Sequence, residues 1–572
     1  MIRNLLFTAI LIALGATAGA PIAAQSVSGA YLAGRQAAMG YDFAEAAKYN
    51  AQALAGDSQS PELLEGAILA YLSLGDIAQA MPLTKFLEAN NQRSQVAYLV
   101  TTAGMAQAED YQGLIAQVGD DAGLGLWVDG LIKAWAYVGK GDMPTAVTQF
   151  DELSNVAGIK VLVMYHKALA LASVGDFEGA ETILSSGMAG TAAQTRRGVL
   201  TRAEILGQLD RKDQAIALLT ASFGDTIDPQ IEALITALQS DQTVPFAQII
   251  DAKTGIAEVF FDFAIALRKE SAADADVLHY ARIARFLRPD HIDALLLTAD
   301  LLKNLGQYEL AIKELQDIPA DNPVYHAAEL SRAAALRQAG RTEQAIEVLQ
   351  QLNRSHGDLP SVHFALGDAL RAQDDHGGAI KSYDLAIELT ADTNPQRWVL
   401  FYARGVAKER GGDSEGAEKD FRAALAINPD QPDVLNYLGY TLVEQRRNLD
   451  EALNMIERAV AANPASGYIV DSLGWVLYRL GRYDEAVEHM ERASELMTVD
   501  PVVNDHLGDV YWAVGRKREA EFQWRRALSF VDTEDASSEA DPDRMRRKLE
   551  VGLDAVLAEE GADPLKRVTA ER

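Results

Sequence analysis

The chain is 572 residues long, with no cysteine, 48% apolar and 23% charged residues, and 82 Asp+Glu against 52 Lys+Arg for a formal net charge of −30. One compact core is implausible at this length, which points to several domains or one elongated array. The acidic balance argues against nucleic acid, whose binders need a basic stripe to displace counterions, and the lack of Cys excludes disulfides, iron–sulfur clusters, thiol nucleophiles, Cys-ligated zinc and acylation at a cysteine.

Residues 1–24 read as a signal peptide. Arg3 precedes an apolar run from Leu5 to Leu14, small residues follow, and cleavage is expected after Ala24. The run is far shorter than the ~20 residues that span a bilayer, and no later stretch approaches that length, so no integral membrane span is expected.

Residues 25–530 carry a repeat. A small residue is followed twelve positions later by Ala, then by a large apolar residue and a further Ala, as in Gly508, Ala520, Trp524 and Ala527. The same ruler fits Gly474/Ala486/Met490/Ala493, Gly405/Ala417/Phe421/Ala424 and Gly367/Ala379/Tyr383/Ala386, and extends back through Ala333/Ala345, Ala299/Ala311, Ala203/Ala215, Ala168/Ala180 and Ala134/Ala146 to Gly34/Ala46. An independent column then appears seven residues after the first small position: Gly75, Gly141, Gly175, Gly306, Gly340, Gly412, Gly481 and Gly515. A first helix must end and the chain reverse there, and glycine adopts the left-handed conformation at least cost. Pro323, Pro429 and Pro464 mark the ends of second helices. Weaker repeats fall around 98–118 and 229–254; longer loops are expected at Ala391–Pro395 and Val499–Pro501, with one extra residue within Arg446–Asp450.

These residues resemble the tetratricopeptide repeat (TPR), with small side chains at positions 8, 20 and 27 and Pro at 32 of a unit of about 34 residues. The resemblance implies an all-α fold, a right-handed α-solenoid of about 14–15 helix pairs closed by a C-terminal capping helix. An acidic linker is expected over 531–540, the capping helix over 541–561 with Asp541-Pro542 as its start and Gly561 as its stop, and a disordered tail over 562–572. The alternative role for 541–561 is a detachable helix for a partner.

The resemblance also implies that the first helix of each pair lines a concave groove. In the last three repeats the groove positions include Asn436, Tyr440, Asp471, Trp475, Tyr478, Arg479, Asp505, Asp509 and Trp512. Rigid aromatic rings beside carboxylates and amides suit an extended peptide or a protein helix; the competing reading packs Trp475 and Trp512 between neighbouring first helices. A clamp for a partner's C-terminal carboxylate, which needs Lys, Asn and Arg, is matched only by Asn436.

The stretch D-S-L-G-W-V-L-Y-R-L-G-R-Y-D-E-A, Asp471 to Ala486, flanked by L-G-Y-T-L at Leu438–Leu442 and H-L-G-D-V-Y-W-A-V-G-R at His506–Arg516, resembles the periplasmic adaptors of carboxy-terminal processing proteases that act in peptidoglycan hydrolase turnover. That resemblance implies a non-catalytic protein-binding scaffold of the cell envelope, exported to the periplasm or peripheral to the outer membrane, presenting cell-wall hydrolases to a protease. Those adaptors are lipoproteins, and without a cysteine a free periplasmic form is expected here. The alternative is a glycan-handling module of exopolysaccharide export or a general envelope assembly factor.

No catalytic site, cofactor or metal is expected. H-E-x-x-H, G-x-S-x-G and Walker motifs are missing; Gly139-Lys140-Gly141 lacks its upstream Gly, and Gly123 and Gly125 meet Val128 where a third Gly would stand. His356 and His363 straddle Pro360 with no third ligand near in sequence.

Overall fold

A computed structural model describes residues 27–118, 123–224, 228–240, 243–531 and 540–565. The leader expected over 1–24 lies outside these residues, as does nearly all of the linker expected over 531–540. Among the described residues every regular element is helical. The chain divides into two compact units, Met1–Ala335 and Leu336–Arg572.

In both units successive helices pair antiparallel, and the ruler explains how. All eight glycines of the reversal column have positive φ, from 73° to 87°. Where the column lacks Gly, the same position is still left-handed, at Tyr41, Asp210, Asp374 and Arg446. The next residue is often Asp, and Asp42, Asp76, Asp110, Asp142, Asp176, Asp375 and Asp413 each cap the second helix by accepting an N–H three residues on. The small first position lets the two helices touch: a Cβ added at Gly508 would lie 2.4 Å from the indole nitrogen of Trp524. Ala520, Trp524 and Ala527 are fully buried against it.

The first unit opens with the pair Val27–Met39 and Phe43–Leu54 and continues through five further pairs to Lys212–Phe223. The two weak repeats differ. Around 98–118 a regular helix, Gln95–Gln107, is followed by one of only seven residues, Tyr111–Gln117. In the second, Pro229–Gln239 packs against Lys212–Phe223, and among the described residues no second helix follows to complete its pair; residues 243–251 are irregular, with Val244 and Ile249 buried. The next helix, Ala252–Lys269, runs 18 residues. With Asp274–Leu287 it packs against the earlier first helices Pro61–Leu74, Gln95–Gln107, Leu126–Gly139 and Lys160–Ser173.

That packing joins residues distant in sequence through polar contacts. Trp135 is fully buried against Gly255, and its indole N–H donates to His166 Nδ1 at 3.1 Å; His166 Nε2 stands 3.2 Å from Asp262. Arg197 donates to Glu258 and, at 2.7 Å, to Asp293, while His291 stands 3.2 Å from Glu258. Burial opposes ionisation of Glu258, but Arg197 and His291 prevail and hold its carboxyl well below the usual range. Arg282 donates to the Ser73 carbonyl at 3.0 Å, and His279 Nε2 lies 3.0 Å from the Ser73 hydroxyl.

The second unit opens with the second helix Thr342–Ser355, follows with the pair Pro360–Arg371 and His376–Leu389, and runs to the pair Pro501–Ala513 and Lys517–Phe530. A continuous apolar core extends from Val406 to Leu553. In place of the single helix expected over 541–561 there are two, Pro542–Val551 and Leu553–Glu559. Gly552, at φ +84°, breaks them apart. The extra residue expected within Arg446–Asp450 is absorbed by two left-handed residues, Arg446 and Asn448.

Candidate functional site

The residues singled out for a partner groove lie on three first helices, Pro432–Glu444, Gly467–Leu480 and Pro501–Ala513, each packed against the next. Their apolar faces fix them: Val434, Leu438 and Leu442, then Val470, Leu473 and Val476, then Val503, Leu507 and Val510 are all buried. The opposite stripe of each helix carries the candidate side chains.

The middle of this stripe is a stack of rings. Trp475 lies 4.0 Å from the His506 ring and 4.8 Å from the Tyr478 ring, both at 13° between planes. Its indole N–H donates to Glu444 at 2.9 Å, and the Arg479 guanidinium sits 5.9 Å from the ring centre. Trp475 is only 8% exposed, so it packs between neighbouring first helices. Asp471 is buried against His506, with Oδ2 3.0 Å from Nδ1. Burial pushes the His506 imidazolium toward losing its proton; Asp471, with Asp505 and Asp509 nearby, outweighs that and holds its pKa above the usual value. Burial likewise raises the Tyr478 phenol.

At the last repeat the chain's own C-terminal segment covers the stripe. Lys548 donates to both Asp505 oxygens at 2.9 and 2.8 Å and to Asp509 at 2.6 Å. Asp509 also accepts from the Trp524 indole at 2.9 Å and from Arg544 at 3.4 Å. Burial raises the Asp505 carboxyl and the Asp509 charge adds to this, against the pull of Lys548. Trp512 donates to Asp554 at 2.9 Å and meets Trp524 with ring centres 5.4 Å apart.

At the other end Asn436 is 5% exposed, and its side-chain oxygen has no hydrogen-bond partner. Tyr440 is half-buried against the core. The accessible rim is Tyr468, 44% exposed, with Glu444 and the half-buried Arg479 and Asp433; the Tyr468 hydroxyl donates to Asp433. The candidate residues of the sequence thus fall on these three first helices, and His506, Arg544, Lys548 and Asp554, which join them here, were not among those residues. A signal for the tail was present, since D-R-M-R-R-K at Asp543–Lys548 is a basic run in an acidic chain.

Chemistry finds little elsewhere. Among the described residues no group of three or more His, Asp or Glu is placed to hold a metal ion. His363 Nε2 lies 2.8 Å from the Gly357 carbonyl and His356 Nδ1 2.9 Å from the Ser355 hydroxyl, so each has a local partner. No described helix is long and apolar enough to cross a membrane.

The tetratricopeptide repeat family model matches residues 296–359, 330–394, 402–448 and 441–496. A TPR repeat-containing protein of Pseudomonas aeruginosa is 32% identical over 159 residues, which make up 27% of this chain and 26% of that protein. The chain thus spans about a quarter of that relative's length. Among solved structures, the APC/C hetero-tetramer Cut9–Hcn1 aligns over 92% of this chain and 96% of its own at 16% identity and a TM-score of 0.39. YrrB, described as a TPR protein with an unusual peptide-binding site, aligns over 34% of this chain and 95% of its own at 19% identity and a TM-score of 0.27.

Proposed function

We propose that this tetratricopeptide repeat protein is a non-catalytic adaptor of the bacterial envelope whose last repeats hold a protein partner. The observation that carries this reading is the stripe from Asp433 to Trp512, where stacked rings are held rigid from within and an aromatic and charged rim, Tyr468, Glu444 and Arg479, stays accessible. Tetratricopeptide repeats are interaction scaffolds, and rigid rings backed by fixed partners give contact area at small entropic cost. Export to the periplasm is supported by Arg3 and the Leu5–Leu14 run. The partner we favour is a carboxy-terminal processing protease together with the cell-wall hydrolases it degrades; support comes from the Asp471–Ala486 stretch and its flanks.

The structure changes which substitutions test this. Asp471, Trp475, Asp505 and Asp509 are bound up in internal contacts, so replacing them would disturb folding before binding. Tyr468→Ala and Arg479→Glu act at the rim. Full-length protein incubated with envelope extract should retain a processing protease or a peptidoglycan hydrolase, and both variants should lower that retention at least tenfold while keeping their helical circular dichroism. Retention of polysaccharide without protein would instead favour the glycan reading, and retention unchanged by both variants would remove the groove from the account.

A further inference from the structure

The contact between the C-terminal segment and the last repeat is centred on a buried lysine. Neighbouring repeats meet through apolar clusters such as Val470, Ala493 and Val503 and through polar pairs such as Asp471 with His506. The segment adds a lysine in an acidic cleft. Lys548 is 1% exposed, and its three N–H donors are matched by three oxygens, two from Asp505 and one from Asp509. Its ammonium also lies 5.6 Å from the centre of the Trp524 ring. A compact ammonium suits this cleft, and a planar guanidinium does not reproduce three converging donors. Around the lysine, Met545, Leu553 and Val556 are buried, and Gly552 passes the Trp512 ring so closely that a Cβ would lie 2.5 Å from it. At the other end of the stripe, Asn436 is a buried amide whose oxygen accepts nothing. An unmet buried acceptor costs free energy until a donor reaches it.

We propose that Pro542–Glu559 is an intramolecular ligand, and that the face it covers, Asp505, Asp509, Trp512 and Trp524, is a docking surface for a lysine-bearing helical segment of a partner protein. The partner's lysine takes the place of Lys548, and the tail is displaced as the partner binds. The acidic balance of the chain complements such a segment and speeds its approach. This inference rests on the adaptor reading above, and specifies the chemistry of its partner.

The test uses the full chain and a synthetic peptide of residues 541–561 as the probe. Full-length Lys548→Ala should bind the peptide at least tenfold more tightly than the wild-type chain, whose cleft is filled from within. Peptides carrying Lys548→Ala or Lys548→Arg should bind that variant at least tenfold more weakly than the natural peptide. Equal binding to both chains, or equal binding of the three peptides, would overturn the proposal. Amide hydrogen exchange on the wild-type chain gives a readout independent of any variant. Residues 542–559 should exchange at least tenfold faster than 503–511, because the tail opens while the repeat stays folded; identical rates would make the tail an inseparable part of the repeat and contradict the proposal. None of these measurements involves an envelope partner, so their failure leaves the capture experiment above intact, and failure of that capture leaves these results standing.

Discussion

His506 is buried and His279 half-buried, and their pH dependences have opposite signs. His506 carries its proton into the ring stack because Asp471 accepts from it. A histidine whose folded pKa is raised contributes stability that is complete below its unfolded value of about 6.5 and is lost as pH rises through the folded value. His279 is the reverse case: burial lowers it to about 4, with Asp276 opposing, so its contribution is complete above about 6.5 and is lost as pH falls toward 4. Urea unfolding from pH 4 to 9 should show this: His506→Gln should flatten the loss of stability on the alkaline side, and His279→Gln the loss on the acid side. Unchanged pH profiles in both variants would refute the assignment. Backbone demands are as specific. Gly508→Ala places a methyl group 2.4 Å from Trp524 Nε1, so the two helices must separate, at a cost of about 1–3 kcal/mol. Asp413→Ala leaves the Gly416 N–H uncapped and should cost about 1 kcal/mol. Thermal unfolding of each variant checks both figures.

The element that departs furthest from a plain stack of repeats is the pair Ala252–Lys269 and Asp274–Leu287. Arg197 is one of its polar ties, holding Glu258 on Ala252–Lys269 and Asp293 on the following helix, Ile292–Asn304. Arg197→Ala strands the fully buried Glu258 beside His291 and should cost about 3–5 kcal/mol, read as a lowered urea midpoint. A change below about 1 kcal/mol would show that apolar packing alone holds the pair. Sequence periodicity could not reveal this arrangement. A repeat encodes contacts between neighbours one unit apart, and it specified helix pairing, reversal points and caps through residues such as Gly75, Asp76 and Gly508. The contacts of Ser73 with His279 and of Trp135 with Gly255 span more than a hundred residues and have no period. The irregular segment 243–251 does have a trace, since the ruler fails between Pro229 and Thr254. The candidate stripe was legible at Trp475 and Tyr478 for the same periodic reason. Its closure by Lys548 was not, because the tail lies beyond the last full unit and its apolar spacing reads equally well as a cap.

At the scale of the whole molecule, the surplus of acid has a local explanation in part. Seven aspartates at the turn between paired helices are caps, and their carboxylates face N–H groups at helix starts, where negative charge is favoured. The remaining acidic surface still sets an expectation for partners. Association with a basic segment should weaken as salt rises from 0.05 to 0.5 M, since screening shortens the reach of surface charge from roughly 14 to 4 Å, and a salt-independent affinity would point to a purely apolar contact. The two units also differ in what they offer. In Met1–Ala335 the first helices from Pro61 to Ser173 are already covered by the pair Ala252–Leu287, whereas in Leu336–Arg572 the first helices from Pro432 to Leu480 keep an accessible rim. The central claim is that a protein partner is held there, and crosslinking mass spectrometry of the full chain in its native envelope tests it most directly. The account predicts intermolecular crosslinks to a protein partner concentrated within residues 433–512 and reduced by Tyr468→Ala; crosslinks confined to Met1–Ala335, or unaffected by that substitution, would contradict it.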